Sequence, residues 1–171
     1  PELVPVQIAV PDGPEVAALR QERLAAGGVE VAAGGAGNFV KIFLANPAGS
    51  GILVIVERII VTFNSLSGQI RVGTGQSGTP QAVTSWRDGR WGFATARVPV
   101  ATIRTLSDNT TSGVPILVLN DGAGGAEVWQ LEIPIILAPG DQIHALGPDN
   151  AGVTCSYIWR ERVVLPGELS V

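Results

Sequence analysis

The sequence predicts an all-β protein, an antiparallel β-sandwich of the jelly-roll kind, and three observations carry that expectation. Glycine stands at 22 and proline at 12 of 171 residues, valine, isoleucine and leucine are plentiful, and only 15% of residues are charged, a balance that suits short strands joined by tight turns. From Asn38 onward, apolar or alternating runs recur between clusters of glycine, proline, asparagine and aspartate, at a spacing that gives eight or nine strands. The length is that of one domain, and such a domain buries roughly 70% of its unfolded surface, enough for a core without covalent staples.

Residues 1–13, PELVPVQIAVPDG, carry three prolines among alternating apolar residues. That pattern reads as an extended N-terminal arm, since it cannot be a central strand. Residues 14–26, PEVAALRQERLAA, predict a short helix: Pro14 suits the first helical position, Glu15 the positive end, and Gly27-Gly28 would stop it. Val16, Leu19 and Leu24 give it only a thin apolar stripe. Residues 27–37, GGVEVAAGGAG, read as a glycine-rich linker. The expected organisation is thus an arm over 1–13, a helix and linker over 14–37, and a sandwich domain over 38–171.

Within the sandwich, Phe39 to Leu44 is the first strand and NPAGSG, residues 46–51, the first turn. The turn opens onto ILVIVERIIVTF, Ile52 to Phe63, which is apolar on both faces. Alternation puts Leu53, Ile55, Ile59, Val61 and Phe63 on one side and Ile52, Val54, Val56 and Ile60 on the other, interrupted only by Glu57-Arg58. Such a strand needs cover on both faces. It is no membrane span, which takes roughly 18 to 20 uncharged apolar residues. Gln69 to Val72 follows with Ile70 and Val72 inward, then a loop over 73–80. In Trp86-Arg87-Asp88-Gly89-Arg90-Trp91 the Asp-Gly pair signals a two-residue hairpin that sets Trp86 against Trp91. Further strands are expected over Ala94–Val100, Val114–Leu119 and Val128–Leu137. In the last, Trp129, Leu131, Ile133, Ile135 and Leu137 share a face and Pro134 marks an edge or a bulge. Gln142–Leu146 is a strand, Gly147 to Asn150 turns, and Val153–Val163 closes the chain with Val153, Cys155, Tyr157 and Trp159 inward.

The net charge of −4, with Lys41 the only lysine, offers no basic stripe for phosphates, so neither nucleic acid nor an anionic membrane surface is expected as a partner. The single cysteine, Cys155, supports no disulfide framework, and the first residues show no signal-peptide pattern, which suggests synthesis in a reducing cytoplasm.

Catalytic chemistry finds little footing. PGDQIHALGPDN resembles the second metal motif of cupins, but its histidine falls one position late and no HxH precedes it. His144, the only histidine, is therefore expected as an ordinary exposed edge residue and no metal site is expected. Cys155 alternates with core residues. Asp121 and Glu127 flank a glycine-rich hairpin tip, and Gly73, Gly75 and Gly78 lack the lysine and helix of a phosphate loop. No catalytic residue and no cofactor is expected. The Trp86, Arg87, Arg90, Trp91 group stays open between packing across a hairpin, a protein interface and a carbohydrate platform.

NPAGSG leading into an aliphatic strand, LAPGDQIHAL, and the closing CSYIWRERVVLPGEL resemble small virion structural proteins of tailed bacteriophages, in particular head decoration (cement) proteins. The resemblance spans residues 38–168. It implies a β-sandwich, often a homotrimer, that sits on the capsid exterior of a virion after synthesis in the host cytoplasm and clamps neighbouring major capsid protein subunits. The arm residues Leu3, Val4, Val6, Ile8 and Val10 would dock on a partner subunit or on the capsid. An alternative is a phage tail or fibre component that binds a host surface or glycan through Trp86, Arg87, Arg90 and Trp91. A cupin-like enzyme is the remaining reading.

Overall fold

A computed structural model describes residues 23–63, 68–75, 81–83, 86–88, 98–111, 113–121 and 126–168. The fold is all-β. One sheet, here sheet A, runs in the order β6 (Trp86–Asp88), β1 (Arg23–Val31), β11 (Val153–Val163), β3 (Ile52–Phe63), β9 (Ala126–Leu137). Sheet B runs β5 (Gln81–Val83), β7 (Thr102–Asp108), β2 (Phe39–Ala45), β10 (Gln142–Asp149), β4 (Gly68–Thr74), β8 (Val114–Asp121). Every pairing is antiparallel.

With the β5–β7 segment set aside, β1-β11-β3-β9 faces β2-β10-β4-β8. That is the strand order of a jelly roll, with successive strands crossing between the sheets as two interlocked Greek keys. The β5–β7 segment is an insertion between β4 and β8 that widens sheet B by two strands and sheet A by one. The core lies between the sheets, with Tyr157, Trp159, Ile42, Leu44, Val54, Val56, Ile59, Ile70, Ile143 and Cys155 buried in it.

Residues 23–31, expected as the end of a helix and a linker, are strand β1, so the sandwich begins well before residue 38. Gly27 and Gly28 do not stop a helix. Gly28 lies opposite Ser156 of β11, and a Cβ there would fall 2.3 Å from the Ser156 hydroxyl and 2.8 Å from the Cys155 carbonyl. Close approach between strands, not a turn, is what that glycine serves. The arm over 1–13 and the start of the expected helix lie outside the described residues.

Strand β3 has the expected bounds but not the expected faces. Val56 pairs with Trp159 and Arg58 with Ile158, so Glu57 is an extra residue that β11 does not match. This β-bulge reverses the alternation once. Val54 and Val56 therefore share the core face with Ile59, Val61 and Phe63, while Leu53, Ile55, Arg58 and Ile60 stand on the outer face. The charged pair marks the bulge.

The expected strand over 94–100 is not found at 98–100, where Val98 is exposed and Pro99 has no N–H for a ladder. Residues 94–97 lie outside the described residues. The strand that fills this part of sheet B is β7, beside β2.

Candidate interaction surface

Several buried polar side chains have structural tasks. The Tyr157 hydroxyl donates to the Ile42 carbonyl at 2.7 Å and accepts from the Ala145 N–H at 3.0 Å. Ile42 and Ala145 are register partners in β2 and β10, so a residue of sheet A is fastened into the ladder of sheet B. Burial raises the Tyr157 phenol well above its usual range and pushes the Cys155 thiol up to about 12. A thiol held neutral in this way is no nucleophile.

Glu161 is buried and accepts from the N–H groups of Val100 and Ala101, at 3.0 and 2.8 Å, and from the Trp159 indole at 3.1 Å. It pins the approach to β7 onto sheet A. Asn46, in the first turn, donates from its amide to the carbonyls of Ile52 and Leu137 at 2.9 and 3.0 Å and accepts from the Ser50 hydroxyl at 2.7 Å. Its backbone N–H reaches the Asp141 carbonyl and its carbonyl accepts from Gly140 N–H, both at 2.9 Å. NPAGSG and LAPGDQ are thereby locked together as one end of the sandwich.

His144 is not an exposed edge residue. It lies on the outer face of the inner strand β10, buried, tilted against Phe43 at a ring-centroid distance of 5.4 Å. Its cover is the β7–β8 connection. That link passes β2, β10 and β4, about 19 Å at ~4.8 Å per strand spacing, with six residue steps spanning roughly 20 Å. Lys41, wholly buried on the same face, ion-pairs with Asp108 and donates to the Thr110 hydroxyl at 2.8 Å. Gly113 lies so close to His144 that a Cβ would fall 3.0 Å from the ring, and its φ of +125° suits glycine alone. Burial, and then the charge of Lys41, lower the His144 pKa to about 4. Its Nδ1 has no hydrogen-bond partner among the described residues. No group of three or more histidine, cysteine, aspartate or glutamate side chains suited to a metal occurs among the described residues.

The surface tells a different story. On the outer face of sheet A, Leu53 and Ile55 are buried, Ile60 and Ile158 are half-buried and Ile136 is exposed. Charged groups border this stripe: Arg160 pairs with Glu57, and Arg162 grips Glu168 with bonds of 2.8 and 2.6 Å. The Arg162 guanidinium and the Leu165 N–H hold the Glu168 carboxyl down to about 2. At one side of the sandwich the edge strands β8 and β9 carry exposed Val114, Ile116, Val118 and Ile136. Sequence reading placed strands there but did not single out this edge. Its signal was the run VPILV, aliphatic at every position except a proline that belongs on an edge.

The expected site residues fall elsewhere. Leu3, Val4, Val6, Ile8 and Val10 lie outside the described residues, as do Arg90 and Trp91. Trp86 and Arg87 lie on β6, opposite Gly27 and Ala26 of β1, at the far edge of sheet A from β9. Asp121 ends β8, and the glycine-rich tip between it and β9 is outside the described residues. No family model, no curated protein and no solved structure matches this chain.

Proposed function

We propose that this chain is a non-enzymatic structural protein of a tailed-phage virion, a head decoration protein that associates as a symmetric oligomer, a trimer in the simplest form, and stabilises contacts between major capsid subunits on the capsid exterior. The observation that carries this reading is the division of labour between interior and surface. Tyr157, Glu161, Asn46 and Lys41 hold the fold together, whereas four of the seven large aliphatic side chains exposed among the described residues, Val114, Ile116, Val118 and Ile136, stand on the strands β8 and β9. The two phrases that resemble decoration proteins, NPAGSG and LAPGDQ, also meet as one locked end of the molecule. The test is co-sedimentation of the purified chain with expanded capsids of the major capsid protein encoded in the same genome. Saturable binding at a fixed ratio to capsid subunits supports the reading, and a chain left wholly in the supernatant overturns it.

A second reading keeps one observation of its own. Trp86 and Arg87 sit on β6, the outermost strand of sheet A among the described residues and at the other end of that sheet from β9, where a tail or fibre protein would present a contact for a host surface or glycan. Glycan or cell binding lost in Trp86→Ala would favour it.

A further inference from the structure

Among the described residues, the strands β8 and β9 carry bare aliphatic side chains. Val114, Ile116, Val118 and Ile136 are 68%, 47%, 44% and 56% exposed. Among the described residues β8 has one hydrogen-bonded neighbour, β4, so its other edge presents N–H and C=O groups that can template a further strand. Pro115 offers no N–H to either side, which leaves residues 116–121 as the pairing edge. Next to Thr74, the register partner of Val114, opens a cleft of about 430 Å³ with Ile135, Ile136, Leu137 and Ile143 among its walls. An extended backbone with one apolar face would continue sheet B at the β8 edge and bring aliphatic side chains beside those of β8.

Residues 3–10, LVPVQIAV, have that pattern in a specific way. Val4, Val6, Ile8 and Val10 are all aliphatic and, in a strand, share one face. Alternate residues also send their N–H and C=O to the same edge. Pro5 and Pro11 are both odd-numbered, so a strand pairing through its even residues turns both prolines away from the ladder, where a missing donor costs nothing. Had Pro5 fallen on an even position, pairing along the segment would lose a bond, and Pro11 lies just beyond its end. The oligomeric reading above puts this strand in a second copy.

We propose that residues 3–10 of one copy add as an extra strand to the free edge of β8 in a second copy, pairing through residues 4, 6, 8 and 10 and laying their aliphatic side chains over the cleft. This is strand addition, with backbone bonds for affinity and side-chain pockets for register. It rests on the oligomeric reading above and names the surface that makes the oligomer.

The test is the solution mass of the full chain by size-exclusion chromatography with light scattering at micromolar concentration, beside Gln7→Pro, Ile8→Pro and Ile116→Lys, with unfolding midpoints as a folding check. The full chain and Gln7→Pro should be oligomeric, whereas Ile8→Pro and Ile116→Lys should dissociate at least about tenfold more readily and run as monomers. A monomeric full chain overturns the proposal. So does an oligomer that withstands both Ile8→Pro and Ile116→Lys, or equal damage from Gln7→Pro and Ile8→Pro. Capsid co-sedimentation of the same variants separates the two failures: an oligomer indifferent to these changes that still binds capsids sinks the strand addition and leaves the decoration reading standing.

Discussion

The covered face of sheet B and the bare β8/β9 side treat unlike side chains in opposite ways. Beneath the β7–β8 connection a lysine and a histidine are buried, the lysine ion-paired and hydrogen-bonded. At the β8/β9 side, aliphatic side chains that would gain from burial are left in solvent. The contrast teaches where each kind of energy resides. Changes under the connection should alter the stability of the single chain, and changes at the bare side should alter only its association.

The largest effect is expected at Asp108. Burial alone would raise its pKa, but hydrogen bonds from Lys41 and from Thr110 outweigh it and hold the carboxyl below its usual value. Asp108→Ala leaves the Lys41 ammonium wholly buried with the Thr110 hydroxyl as its described partner, and breaking such a pair costs about 3 to 5 kcal/mol. Urea unfolding of the variant measures it. A loss below about 1 kcal/mol, the level of an exposed pair, would mean that Lys41 finds water once its partner is gone.

Next comes a pH dependence. The folded chain holds His144 neutral down to about pH 4, while the unfolded chain takes up the proton near 6.5. Between those values the unfolded state binds more protons, so stability is fully present above about pH 6.5 and falls as pH is lowered toward 4. The total is on the order of 3 kcal/mol. His144→Gln should flatten this window, because His144 is the only histidine and ordinary carboxylates titrate lower. Unfolding midpoints from pH 7 to 4.5 for both chains decide it, and an unchanged slope in the variant would mean that another group takes up the proton.

His144 also shows what the sequence could and could not disclose. The phrase DQIHAL was legible as a strand, and in it Ile143 and Ala145 face the core with His144 on the other face. Whether that other face meets water depends on the β7–β8 connection, five residues that cross three strands and leave no local pattern. Strand β3 fails differently. Its bounds follow from the apolar run, but both faces are apolar up to Glu57, so nothing in the alternation reveals that one residue is skipped. β1 was missed because Leu-Ala-Ala-Gly-Gly suits a helix end locally, and only the neighbouring β11 makes it a strand. By contrast β11 alternates cleanly from Val153 to Trp159, and its bounds and inward residues were legible throughout. The bare edge was less so: a list of strands does not say which is last in its sheet.

Tyr157→Phe probes the interior on a smaller scale. It keeps the ring and removes the one hydroxyl that joins the Ile42 carbonyl to the Ala145 amide across the β2–β10 ladder. Leaving buried partners unsatisfied costs about 1 to 3 kcal/mol. If the two backbone groups close on each other instead, the loss should shrink below about 1 kcal/mol, and hydrogen exchange at the Ala145 amide would stay slow.

The smallest stability effect belongs to the bare side, and it is the one that most sharpens the contrast. Val118 pairs with Arg71 on the outer face of sheet B, 44% exposed, and Ile116 is the extra residue where the β4–β8 register shifts. Neither side chain belongs to the core, so Val118→Thr and Ile116→Lys should each leave the unfolding free energy of the monomer within about 0.5 kcal/mol of the parent. Threonine keeps the β-branched shape that strands favour, and lysine on an edge is a common guard against further pairing. Urea unfolding at concentrations low enough to keep the chain monomeric isolates this term. A loss of 2 kcal/mol or more would show that these residues support the sandwich itself, and the division between a stabilising covered face and an associating bare side would fail at the place where it is drawn most sharply.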